Sequence, residues 1–136
     1  MAKLDYRYIP NVRSSAVLTG SYVAGTVIGP TSTGVFQANG NEYNMLLVDV
    51  DVTLGSLTSV ELKVEFSEDG STYFQQSSVS TASGTITASV AEYTFGASVN
   101  YRLEIPVAAQ FIRISSKGTG TVTNSLLAVD AILAVR

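Results

Sequence analysis

Asp49 and Asp51 stand two residues apart in the run from Leu46 to Leu54. On a strand, residues i and i+2 share a face and sit about 7 Å apart. That lies inside the roughly 5–10 Å separation that paired glycosidase carboxylates need. A solvated strand face is the plainer account of the pair, and no catalytic role is assigned to it. The sequence contains no histidine, which removes the commonest general base and the imidazole metal ligand. Ser-His-Asp and Cys-His arrangements are excluded with it. It contains no cysteine either, so neither a disulfide nor a thiolate metal site can form.

Other candidate chemistry is thin. Glu61 and Glu65 straddle Lys63 and read as an exposed strand face of mixed charge. Glu68 and Asp69 could offer oxygens to calcium, but the run lacks the spaced carboxylates of a calcium loop. A hairpin turn at Glu68-Asp69-Gly70-Ser71 accounts for it. Gly118-Thr119-Gly120 lacks the following helix that a phosphate loop requires. Tyr22, Tyr43, Tyr73, Phe74, Tyr93 and Phe95 could stack on sugars, although Trp is absent and such rings more often anchor cores and interfaces. The expectation is a chain that is not an enzyme and holds no cofactor.

The elements that must carry these residues are strands. Leu46, Val48, Val50, Val52 and Leu54 alternate with Leu47, Asp49, Asp51 and Thr53, giving one apolar and one mostly polar face. Val60, Leu62, Val64 and Phe66 repeat the pattern against Glu61, Lys63 and Glu65. Tyr73 and Phe74 return after the Asp-Gly turn, and Ile86, Ala88 and Val90 alternate again. Val99, Tyr101, Leu103 and Ile105 form another inward row, stopped by Pro106. Phe111–Ser115 reads as a short strand, 117–120 as a turn, and Leu126–Val135 as a long closing strand. Earlier, Val17 opens a short strand and Tyr22–Ile28 makes another, while residues 31–42 form a loop. Val107–Gln110 could make one helical turn at most. Roughly eight or nine short strands with turn signals between them predict an all-β antiparallel sandwich, jelly-roll-like in its connections.

The N-terminus reads differently. Lys3, Tyr6, Arg7, Tyr8, Ile9 and Arg13 cluster around Pro10, which argues against a helix or a central strand. Residues 1–14 are therefore expected to be an extended arm ahead of a single domain over 15–136. They are either an edge strand of that domain or a reach toward a neighbouring subunit, anchored by those six residues. The chain carries a net charge of −3, with only 14% charged residues. Such a neutral surface suits contact with other subunits or simply reflects a β-rich fold, since Thr sits well on strands, and outside the N-terminal arm the scattered Lys and Arg argue against nucleic-acid binding. No secretory signal is visible, and the apolar Leu126–Val135 run is too short to span a bilayer and is broken by Asp130. The chain is expected to be made soluble in the cytoplasm of the cell that makes it, or to be a mature form already trimmed.

Val60-Glu-Leu-Lys-Val-Glu-Phe-Ser-Glu-Asp-Gly-Ser-Thr-Tyr-Phe74 resembles the strand–turn–strand of small β-sandwich virion proteins of tailed bacteriophages. Ile105–Ser115, followed by Gly118-Thr-Gly-Thr121 and the closing strand, is similar to the second half of the same proteins. The resemblance covers residues 45–136, and its motifs recur in galactose-binding-like sandwiches. It implies a virion component, such as a capsid decoration (cement) protein or a head or tail accessory protein, assembled in the host cytoplasm. It implies a partner in the major capsid protein or another virion protein, and a homo-oligomer, taken as a trimer. It transfers no catalytic residue. The alternative is a carbohydrate- or receptor-binding module of a tail or head fibre. If the arm makes the junction, deleting residues 1–13 should leave a folded domain that no longer binds particles.

Overall fold

A computed structural model describes residues 6–29 and 43–135. The loop expected over 31–42 and the cation Lys3 lie outside the described residues. Eleven strands and no helix occur among the described residues: β1 (Tyr6–Ala16), β2 (Val23–Ala24), β3 (Met45–Thr53), β4 (Leu57–Ser67), β5 (Phe74–Gln75), β6 (Ser77–Ala82), β7 (Thr85–Val90), β8 (Glu92–Phe95), β9 (Asn100–Pro106), β10 (Phe111–Gly120) and β11 (Leu126–Ala134).

Alternation builds two antiparallel sheets around one core. The first sheet runs β1-β11-β3-β9, and the second runs β2-β10-β4, with β5 and β8 pairing different stretches of β4. The first sheet turns Leu46, Val48, Val50 and Val52 of β3 and Leu127, Val129, Ala131 and Leu133 of β11 inward. The second answers with Val60, Leu62 and Val64 of β4 and Ile112 and Ile114 of β10, all within one buried cluster. Burying a Val, Leu or Ile side chain is worth about 1.5–3 kcal/mol over leaving it in water. These rows are what hold the sandwich. The segment after β2 ties the two sheets together along one side. Gly25 donates its N–H to the Ile114 carbonyl at 2.8 Å, and Thr26 donates to that of Val12 at 2.8 Å.

Four expectations need correction. The division at residue 14 falls inside a strand, and of the two readings of the N-terminus the edge strand holds: Tyr6–Ala16 is an edge strand of the first sheet, paired antiparallel with β11 from Tyr6↔Ala134 to Ala16↔Leu127. The register slips between Ile9 and Arg13, around Pro10 and a left-handed Asn11 (φ 57°), and the bulge hides the two-residue period that would have marked a strand. Because β1 also buries Val12, it is part of the domain. Second, the strand expected over Tyr22–Ile28 shrinks to Val23–Ala24 and a single bridge between Ile28 and Ile112. Third, β10 does not turn at 117–120 but runs unbroken to Gly120. Gly118 is there for space: a Cβ would lie 2.8 Å from Leu57 Cδ2, so the glycine lets the Leu57 side chain of β4 close over the strand. Val99, expected to face inward, is exposed.

The third sheet is the β6–β7 hairpin alone. Every residue of both strands is exposed. Its tip is Ser83-Gly84, with φ of 51° and 78°. Two successive positive φ values make the type I′ turn that matches hairpin twist, and the glycine takes the second at no steric cost. The hairpin is rooted at Gln76, whose N–H donates to the Val64 carbonyl (2.9 Å) and whose carbonyl accepts from Ala91 N–H (2.8 Å).

Candidate functional site

The outer face of the first sheet carries the two aspartates singled out by spacing. Asp49 lies opposite Arg102 on β9 and opposite Asp130 on β11. Arg102 grips it with two bonds, Nε to Oδ1 at 2.6 Å and Nη2 to Oδ2 at 2.8 Å. That pairing holds the Asp49 carboxyl below its ordinary value and raises the Arg102 guanidinium. Asp130 accepts the Tyr8 hydroxyl at 2.8 Å and the Asn11 N–H at 2.8 Å. The hydrogen bond to Asp130 raises the Tyr8 phenol. Asp49, Arg102 and Asp130, with Asp51, Asn100 and Tyr101, line an open depression of about 400 Å³. General acid chemistry needs a carboxyl raised toward neutrality, whereas Asp49 is pushed the other way.

The outer face of the second sheet overturns the expected exposed stripe. Glu61 is only 4% exposed and Glu65 only 6%. Glu65 takes Arg113 Nη2 at 2.9 Å and Nε at 3.3 Å, and the Ser115 hydroxyl at 3.3 Å. Burial pushes the Glu65 carboxyl up, but Arg113, Lys63 and Ser115 together outweigh it and hold it below its ordinary value. Glu61 accepts the hydroxyls of Ser59 and Thr119. Among the described residues no buried side-chain polar atom lacks a partner, as a stable buried polar layer requires.

Tyrosines contribute to this polar layer rather than forming an open platform. Arg113 stacks on the Tyr73 ring at 3.9 Å. Lys63 and Lys117 lie over the Tyr22 ring at 4.7 and 5.0 Å, and Tyr22 donates its hydroxyl to Glu92. Burial, then that hydrogen bond, drives the Tyr22 phenol upward. Phe95 is buried against Tyr101 with ring centroids 4.7 Å apart, Tyr43 and Tyr93 pack partly on the core, and Phe74 alone is 69% exposed. The six aromatics therefore do not gather in one place.

Asp69 is equally committed. Its Oδ1 accepts the N–H groups of Ser71 and Thr72, both at 2.8 Å, and the Ser67 hydroxyl at 3.0 Å. The Thr72 and Ser71 N–H groups, then the Ser67 hydroxyl, hold its carboxyl below the ordinary value. Those bonds make Oδ1 a cap on the turn. No group of three metal-ligating side chains occurs among the described residues.

The residues expected to anchor a partner are largely used by the domain itself. Arg13 folds back on its own chain, donating to the carbonyls of Leu127, Ala16 and Val17, and burial lowers its pKa. Tyr8 is held by Asp130, and Ile9 packs on the core. Arg7, Tyr8 and Ile9 do line a shallow groove of about 240 Å³ with Pro10 and Val27–Gly29. Tyr6 is placed only by its backbone, which pairs with Ala134.

The surface that sequence reasoning missed is the hairpin. Its register pairs Ser77 with Val90, Val79 with Ala88 and Thr81 with Ile86 on one face. Ser78 with Ser89, Ser80 with Thr87 and Ala82 with Thr85 make the other. Val79 is 66% exposed and Ile86 72% exposed. An isolated two-stranded hairpin is marginal in water, and this one leaves Val79, Ile86 and Val90 exposed on one side. The available signal was the absence of any charged residue between Asp69 and Glu92. Set beside known proteins, the chain matches no family model and no curated protein.

Proposed function

We propose that this chain is a structural component of a larger assembly, a virion protein of the capsid decoration type that binds a shell and ties neighbouring subunits together. The observation that carries the proposal is the β6–β7 hairpin, which stands clear of the core with an apolar face that none of the described residues covers. A rigid sandwich presenting such an element is suited to holding subunits at fixed spacing. Repetition by symmetry makes many weak contacts firm.

We also read the strand order as a jelly roll. With β5 and the hairpin set aside, the first strand pairs with the last and the second with the next to last, in β1-β11-β3-β9 and β2-β10-β4-β8. Jelly rolls serve in capsids and in lectins, so the order supports both readings of function without separating them. The hairpin is then an insertion between the fourth and fifth strands of that plan.

The second reading is carbohydrate or receptor binding, favoured by the depression that Asp49, Asn100, Tyr101, Arg102 and Asp130 line. Glycan-array binding by the isolated chain, weakened by Tyr101→Ala, would establish it. The assembly reading is tested by fractionating particles released from cells that make the chain. Co-sedimentation at high, fixed copy number is expected. A chain that stays entirely in the soluble fraction would overturn it.

A further inference from the structure

We propose that the apolar face of the β6–β7 hairpin docks against the same face of a second copy of this chain. The inference rests on the assembly reading and names the first contact within it.

Three features of the hairpin select a like partner. The first is charge. No Asp, Glu, Lys or Arg occurs between Asp69 and Glu92. Two copies of this face therefore meet without like-charge repulsion, and no charge is present to steer or select an oppositely charged partner. The second is relief. Across the ladder each bulky side chain of the face stands opposite a smaller one: Val79 opposite Ala88, Ile86 opposite Thr81, Val90 opposite Ser77. The bulky positions zigzag between the two strands, so the ridges of one copy fit over the hollows of another, as interdigitated sheet faces require. The third is sidedness. The opposite face is Ser and Thr except for Ala82, so one side is finished for water and the other is not. The strands also lack the Lys, Pro or inward charge by which exposed edges are normally blunted.

Area sets the strength. Two strands of six residues span a face about 20 Å long and 10 Å wide. Even with side-chain relief, that is well below the roughly 800 Å² per partner of a standard stable interface. Self-association of the free chain is therefore reversible and concentration-dependent. It becomes firm where many copies are held side by side.

Sedimentation equilibrium of the full chain tests this. The mass should climb from the 14.3 kDa of one chain toward twice that value as concentration rises through the micromolar and submillimolar range. Val79→Lys with Ile86→Lys should abolish the climb, while Ser80→Lys on the opposite face should leave it. The thermal midpoint of the double variant should match the parent, because the hairpin lies outside the core. Should that variant fail to fold, cross-linking decides. The chain has no cysteine, so a short bis-maleimide should join copies of Ala88→Cys and not of Ser89→Cys. The proposal is overturned by a parent chain that keeps a single-chain mass throughout. It is equally overturned by a folded lysine variant that associates like the parent, or by equal cross-linking from both faces. A monomeric chain that still co-sediments with particles defeats this inference alone. A self-associating chain that never does so defeats only the assembly reading.

Discussion

Tyr8 and Asp130 meet across the β1–β11 ladder, the phenol donating a 2.8 Å hydrogen bond to Oδ2 of the carboxylate. Oδ1 of the same group takes the Asn11 N–H, where the strand bulges. One carboxylate in the middle of β11 thus fastens the irregular stretch of the edge strand and satisfies a backbone donor that the bulge removes from the ladder.

Residues 6–16 therefore behave as sheet, not as a detachable arm. Deleting residues 1–13 removes buried Val12 and the Arg13 bonds to Leu127, Ala16 and Val17. The truncated chain should lose its cooperative thermal transition by circular dichroism, whether or not it meets a particle. The milder Asp130→Ala should fold and lose about 1 kcal/mol in denaturant unfolding. A fully stable truncated domain would show that β1 is dispensable.

Core and hairpin should answer the same truncation differently. Leu62→Ala empties a fully buried site facing the opposite sheet and should cost about 2–5 kcal/mol. Ile86→Ala removes a side chain that is 72% exposed and should stay within about 0.5 kcal/mol in the dilute chain. Urea unfolding of the two variants beside the parent gives the comparison.

Acid should destabilise the fold through carboxylates held low. Glu65, Asp49 and Asp69 all titrate below their ordinary values of 4.5, 3.8 and 3.8 in the folded chain. A depressed folded pKa adds stability that is complete above the unfolded value and is lost as pH falls through the folded one. Unfolding free energy should be flat near neutrality and drop below about pH 4.5. Glu65→Gln should lower stability at pH 7 by about 1–2 kcal/mol and make the acid limb shallower. An unchanged acid limb would remove Glu65 from the account.

Gly118→Ala should cost about 1–3 kcal/mol, since the added methyl forces the buried Leu57 side chain to move. Pairing the change with Leu57→Ala, which vacates the space, should recover part of the loss. Additive losses would show that the clash is not the cause.

What could be read from sequence follows from which signals are local. The inward rows of β3 and β4 were legible because their two-residue period is unbroken and both ends carry turn signals, whereas the near-continuous apolar run of β11 marked a strand without showing which face turns inward. The burial of Glu61 and Glu65 was not, because their cover comes from elsewhere in the chain: Arg113, Ser115 and Thr119 of β10, and Tyr22 and Tyr73 lying over their neighbours. Edge strand β1 was obscured by its bulge, and β10 by a glycine that marks close packing where a turn was expected. For Ile86, Ala88 and Val90 the alternation was legible and the direction was not. The pattern of a strand facing its own core is identical to that of a strand facing another molecule.

Hydrogen exchange tests most directly whether the β6–β7 hairpin is a contact element. In the dilute chain its amides should exchange far faster than those of β3 and β4, since a lone hairpin opens readily. At concentrations where the chain associates, amides of residues 77–90 should slow markedly while those of β3 hold steady. Exchange over 77–90 that stays equally fast in the associated state would contradict the account.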